Sequence, residues 1–309
     1  MSYAEPRAAR IEWPTIALTA LVYAVLAVLV FFHAVLPWWL ILLVGPYFAA
    51  LHVSLQHETL HGHPTRIRWL NELLIFPTPT FWLPYGRYRE THLQHHRDID
   101  LTDPVRDPES YYELPENWAK AGSLKRALFR INHTLGGRML IGPAVSILRF
   151  WPSDLADVVR GDRRKAKAWA LFALSCAVTI SFVVGVAHMP LWKYYVLIAY
   201  PALSLALVRS YCEHQAAAEA EHRTIIVEAS PFWSLLFLYN NLHVAHHTKP
   251  ALAWYHIPAY YRADKNEMIT RNNGYTMSGY GEIFRRFFFS AKEPNAYPDM
   301  GWLRPPGEA

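Results

Sequence analysis

Cysteine is nearly missing from this chain. Two residues in 309, Cys176 and Cys212, cannot build a disulfide framework, an iron–sulfur site or a cysteine-rich zinc site. Both lie in apolar surroundings and read as packing residues. Internal repeats and low-complexity tracts are missing as well. The formal charge is only +5, with a pI near 9.1. Its basic residues are dispersed among long apolar runs, and no nucleic-acid-binding motif appears. Nucleic acid is therefore not the expected partner; a membrane explains the basic residues better.

What the chain does have is 52% hydrophobic residues, with 12 Trp, 18 Tyr and 15 Phe, and as many as 16 histidines. A mean hydropathy of +0.03 fits either a soluble protein or a membrane protein with a large polar portion. The uncharged run TIALTALVYAVLAVLVFF, 15–32, decides for the second. Crossing a hydrocarbon core takes about 20 apolar residues as helix, so 15–33 and 37–56 are expected to form one hairpin of spans. The runs 168–187 and 191–208 form a second, in which Pro201 is a candidate kink that neighbouring helices can tolerate. A cleavable signal peptide would have a short apolar core and a small-residue cleavage site; here the first run flows into another span, so it is read as retained.

The turn at 33–37 carries no Lys or Arg, and that at 188–194 carries only Lys193. Arg7, Arg10, the segment 57–167 with RRKAK at 163–167, and everything after Arg209 lie on the other side. The positive-inside rule then places both termini and both large polar regions, 57–167 and 209–291, in the cytoplasm. The short, proline-interrupted ELLIFPTPTFWLP, 72–84, is expected to dip into the interface. Residues 139–151 and 282–290 read either as helices on the membrane surface or as packing under the cap. The tail 292–309 reads as loosely ordered. The expected fold is all-α and integral to the membrane: one domain, four spans in two hairpins, and a helical cytoplasmic cap that holds a two-metal site.

The histidines carry the functional signal. HETLH at 57–61, HLQHH at 92–96 and HVAHH at 243–247 supply His57, His61, His92, His95, His96, His243, His246 and His247, and His214 follows the fourth span. All fall at one membrane face. Histidines at i and i+4 share a helix face, and HxxHH adds a third imidazole to the same turn. HETLH also matches the HExxH pattern of zinc proteases. A zinc site, however, takes four ligands at most in its usual form. Eight or nine converging imidazoles are too many for one metal and enough for two. Imidazole suits zinc, copper, iron and nickel, and two histidine-held metals at the mouth of a helix bundle point to iron that activates dioxygen. The remaining His52, His63, His133, His188, His222 and His256 read as structural or surface residues.

These boxes, with HHRDIDLTDPVRDPE at 95–109 and RSYCEH at 209–214, resemble the membrane-bound fatty acid desaturase-like superfamily of histidine-box di-iron enzymes, from about residue 15 to 262. RSYCEH is what adds His214 to the ligand set. The resemblance implies two iron ions, O2 as co-substrate and electron-dependent attack on an unactivated C–H bond. Fatty acyl desaturation is the first expectation, with hydroxylation or ketolation of a carotenoid, alkyl or other lipid as alternatives. The lipid-like substrate would come from the bilayer. With no cytochrome-like haem segment and no cysteine cluster, electrons would come from a separate ferredoxin- or cytochrome-type donor with its reductase. Metal-bound histidines usually donate their second N–H to a carboxylate or carbonyl. Glu58, Asp98, Asp103, Asp107 and Glu213 are candidates for that task, and Asn240 and Asn241 could reach the metals. Two rival readings remain: an intramembrane zinc protease using HETLH, and a metal transporter or sensor. Transport would want polar ligands at membrane depth, and here the spans are apolar.

Overall fold

The computed structural model describes residues 11–96 and 98–298, with Asp98 seen as backbone only. Arg7, Arg10, the Asp98 side chain and the tail beyond 298 lie outside the described residues. In chain order the helices are α1 (Trp13–Phe31), α2 (Trp38–Leu60), α3 (Arg68–Leu74), α4 (Tyr85–His95), α5 (Pro115–Lys120), α6 (Ser123–Asn132), α7 (Leu135–Val159) and α8 (Arg163–Ile180). They continue with α9 (Leu191–Tyr194), α10 (Tyr200–Ser210), α11 (Pro231–Leu236), α12 (His243–Thr248), α13 (Ile257–Arg271) and α14 (Tyr280–Phe287). Strands β1 (Ile226–Val227) and β2 (Thr276–Met277) pair in parallel.

Among the described residues four helices are long and apolar enough to cross a membrane: Trp13–Phe31, Trp38–Leu60, Arg163–Val186 and Leu191–Ser210. Local chemistry sets several of their ends. Pro14 opens α1, where its missing N–H costs nothing. Asp162 caps α8 by accepting from the amides of Arg164 and Lys165. The third helix ends in a π turn, Ser181–Val186, and the fourth carries another, Tyr195–Ala199. The second sits just before Pro201. Proline has no N–H to give and its ring crowds the carbonyl four residues back; the wider turn accommodates both, so the kink expected at Pro201 takes the form of a π turn. Close approach holds the bundle together. A Cβ on Gly45 would lie 2.7 Å from Ile198, so α2 presses directly on that π segment.

Three expectations change. Residues 75–84 do more than dip into the interface. The Tyr23 hydroxyl donates to the Pro77 carbonyl at 3.0 Å and the Tyr194 hydroxyl to Pro79 at 2.7 Å, while Thr179 donates to Thr78 at 2.8 Å. Thr179 lies about 24 Å along its helix from Arg163 at 1.5 Å per residue. The segment therefore re-enters deep into the bundle, and its free carbonyls are satisfied by hydroxyls on three spans, as irregular backbone inside a membrane requires. Residues 139–151 belong to the longer helix α7, which packs on α10. Ser204 donates to the Met139 carbonyl at 2.6 Å, and Leu140 and Leu148 stay 70% and 72% exposed on the other side. Finally, the tail is not loose from Lys292. The Glu113 amide donates to the Asn295 carbonyl and the Glu113 carbonyl accepts from the Tyr297 amide, both at 2.9 Å, and the Tyr297 ring is buried.

Residues 282–290 divide between the two readings: Ile283 and Phe287 are buried in the core, and Phe289 is exposed. Cys176 and Cys212 are both free, the second fully buried. The tightest glycine among the described residues is Gly137, in the first turn of α7. An added Cβ would sit 1.9 Å from the Ile131 carbonyl oxygen, a backbone atom that cannot swing aside. Gly137→Ala is expected to cost about 3 kcal/mol, the upper end of overpacking, read as a lowered unfolding temperature of the detergent-solubilised protein. An unchanged temperature would contradict this packing.

Candidate metal centre

The last turn of α2 delivers His57 and, one residue past its end, His61. The last turn of α4 delivers His92 and His95, and His96 caps it. Helix α12 carries His243, His246 and His247, and His214 follows α10. These nine side chains gather into two sets. His57, His61, His92, His96 and His246 form one, and His95, His214, His243 and His247 the other; within each set, one nitrogen per ring lies within 4.8 Å of all the rest. Adjacent residues divide between the sets: His95 goes one way and His96 the other, and likewise His247 and His246. The sets touch where the His96 and His247 rings stack, 4.3 Å between centroids.

The nitrogens converge as ligands do. His57, His92, His96 and His246 form a chain of Nε2–Nε2 distances of 2.9, 3.0 and 3.1 Å, and His95–His214 and His214–His243 stand at 2.9 and 3.1 Å. Two nitrogens each about 2.1 Å from one ion at a near-tetrahedral or right angle would lie about 3.0–3.4 Å apart. A neutral imidazole has a single N–H, so such a chain cannot satisfy every ring by hydrogen bonding alone. The His61 Nε2 is buried with no partner at all. Burial first, then the crowding of the neighbouring imidazoles, which cannot all carry charge, holds His61, His96, His214, His243 and His246 far below the ordinary imidazole range. They are neutral, as metal binding requires. The donor set fits two metal ions.

The outer nitrogens are anchored. His95 Nδ1 meets Asp107 at 2.9 Å, and the Asp107 carboxylate also accepts from the amides of Thr102 and Glu109. His92 Nδ1 meets Glu109 at 3.1 Å. Burial opposes a charge on His95, but Glu109 and Asp107 outweigh it and carry its pKa up to about 9, so that unlike those five rings His95 must give up a proton when a metal binds. Burial likewise opposes a charge on Glu109, yet His92 and His95 bring it down to about 2. The Asn240 side chain touches both sets, 2.8 Å from His243 Nδ1 and 3.3 Å from His57 Nε2. Leu238 and Tyr239, just before it, have φ of 48° and 58°. Left-handed backbone at such residues costs of order 1–3 kcal/mol each, and here it turns Asn240 inward. Glu213 pairs with Arg209 at 2.8 Å and lies 3.6 Å from His243 Nδ1. Under His214, the carbonyl receives the Lys292 ammonium and, at 3.2 Å, the Tyr111 hydroxyl.

Other candidates serve elsewhere. Glu58 accepts the Trp254 amide at 2.9 Å and groups with Glu12 and His63, apart from both histidine sets. Asp103 caps its own loop through the amides of Val105 and Arg106, as aspartate commonly does in turns. Asn241 binds the Val227 carbonyl at 2.7 Å and so fixes β1 beside α12. Glu109, which closes the DPE of 107–109, is a supporting residue that the sequence does not single out: its reach to His92 comes from the fold of the loop, and spacing along the chain carries no sign of it. His52, His63 and His133 are buried outside the two sets.

The chain matches the fatty acid desaturase family over residues 33–279. It belongs to that family. A search of curated proteins finds no match. This desaturase-family chain is thus a membrane protein and an oxidoreductase, with two histidine sets able to hold metal.

Proposed function

We propose that the protein removes hydrogen from an unactivated C–H bond of a lipid-like substrate, with fatty acyl desaturation as its reaction, and that the two histidine sets hold two iron ions. The split of nine histidines into adjacent sets, with outer nitrogens tied to Asp107, Glu109 and Asn240, supports this reading above all. Bound iron would supply O2 activation. The chain's own work is to fix ring orientation through those three residues, and to keep water out with the buried walls of α2 and α12. An apolar groove of about 1120 Å³ opens between α2, α7, α10 and α11, lined by none of the nine histidines; it offers an alkyl chain a way in from the bilayer rather than a reaction chamber. Electrons come from a separate ferredoxin- or cytochrome-type protein, and the metal site and both termini face the cytoplasm, in line with the Lys and Arg distribution.

The test uses full-length protein purified in detergent, with metal content by elemental analysis and O2 uptake in the presence of lipid and a reduced donor. About two irons per chain and a product lacking two hydrogens would support desaturation, whereas a product gaining one oxygen would replace it with hydroxylation. Glu58→Gln should leave both readouts within about threefold, because Glu58 faces Trp254 and His63 rather than the histidine sets. One zinc per chain, with peptide cleavage abolished by Glu58→Gln, would instead revive the protease reading.

A further inference from the structure

Behind α4, the helix of HLQHH, lies a second cavity, of about 690 Å³, walled by α3, α4, α8 and the re-entrant segment. Its lining on α4 includes Gly86, Arg89 and Leu93, spaced as one helix face; this is not the face that carries His92, His95 and His96. On α8 it follows Arg164, Lys167, Leu171 and Ser175, again a single face. From Arg164 to Ser175 that face runs about 16 Å at 1.5 Å per residue, close to half of the ~30 Å hydrocarbon core. The groove therefore has the depth of one leaflet.

Its charge is graded along that depth. At the polar end the cations outnumber the carboxylates. Glu72 is taken by Arg68 at 2.7 Å and Glu90 by Arg87, which Asp154 also holds at 2.9 Å. Arg89, Arg164 and Lys167 form no ion pair among the described residues, though the Asp162 carboxylate, two residues before Arg164, is near enough to interact with that guanidinium. Below them come Leu171, Phe172 and Phe76. Three unpaired cations over an apolar slot of one-leaflet length match an anionic head above an alkyl chain.

We propose that this groove binds one anionic phospholipid of the bilayer, with its phosphate at Arg89, Arg164 and Lys167 and one acyl chain along α8. The lipid is a buttress for α4 rather than the molecule oxidised, since it lies on the side of that helix away from the histidines. The site stands whether or not the oxidation reading holds.

The test is native mass spectrometry of the full-length, detergent-washed protein titrated with phosphatidylglycerol or phosphatidylcholine. One saturable phosphatidylglycerol adduct is expected, favoured by about tenfold or more over phosphatidylcholine, given the attraction of basic residues for anionic lipid. Arg89→Gln/Arg164→Gln/Lys167→Gln should erase the preference, whereas Lys120→Gln/Arg262→Gln should keep it. Leu171→Trp, which narrows the slot and leaves every cation in place, should weaken the adduct by a similar factor. Inorganic phosphate should not displace the lipid. Equal retention of both lipids by the native protein, an unchanged preference in the triple variant, or displacement by inorganic phosphate would each overturn the proposal.

Discussion

His243→Ala is expected to empty the smaller histidine set and abolish oxidation, while His246→Ala leaves more metal behind. The second set has four nitrogens, and removing His243 leaves three from His95, His214 and His247. It also frees Asn240, whose oxygen then faces the pocket without the imidazole at 2.8 Å. Removing His246 still leaves four nitrogens in the first set, from His57, His61, His92 and His96, enough for a four-coordinate ion. Elemental analysis should find about one metal per chain in His243→Ala after chelator washing, and between one and two in His246→Ala. Activity in His243→Ala should fall by about a thousandfold or more, because truncating a ligand does more than the 10–100-fold loss typical of its supporting partners. Full metal occupancy in His243→Ala would refute the assignment of the second set.

Asp107→Asn and Glu109→Gln should each weaken metal retention by about 10–100-fold, the usual cost of removing a carboxylate behind a ligating histidine. Both substitutions keep an acceptor oxygen and remove the charge, so loss of packing does not account for the effect. Asp103→Asn is the internal control: that carboxylate caps a turn through the amides of Val105 and Arg106 and touches no histidine. The measurement is the rate at which a chelator strips the metal, with helix content followed by circular dichroism. Asp107→Asn and Glu109→Gln matching Asp103→Asn would show that the carboxylates merely hold the loop.

Eight of the nine histidines were legible in the sequence because helical spacing is short-range: i, i+3 and i+4 fix which side chains share a turn, and span topology brings the turns to one face. His214, isolated in the chain, is added by the resemblance of RSYCEH. The partition into five and four was not legible. It depends on which way each imidazole leans at a helix end, and on three chain segments meeting, which no local pattern encodes. The supporting residues followed the same divide. Asp107 stands out by its closeness to His95 in the chain, whereas the reach of Glu109 back to His92 depends on the fold of the 96–109 loop. Glu58 was misleading in the opposite sense, adjacent to a ligand yet directed the other way, since neighbouring positions on a helix point about 100° apart. Hydropathy located the spans. It was silent on the re-entrant segment, whose carbonyls are satisfied by Tyr23, Thr179 and Tyr194 from three separate helices.

The division of neighbouring histidines between the two sets constrains how this chain can change over time. His95 and His96 serve different pockets, as do His246 and His247. Inserting or deleting one residue ahead of either pair would rotate both members together, and no such change could damage one pocket while sparing its neighbour. Drift toward a single-metal descendant is therefore open only to point substitutions, one histidine at a time, and the lengths of α4 and α12 upstream of these pairs are expected to be frozen in its lineage.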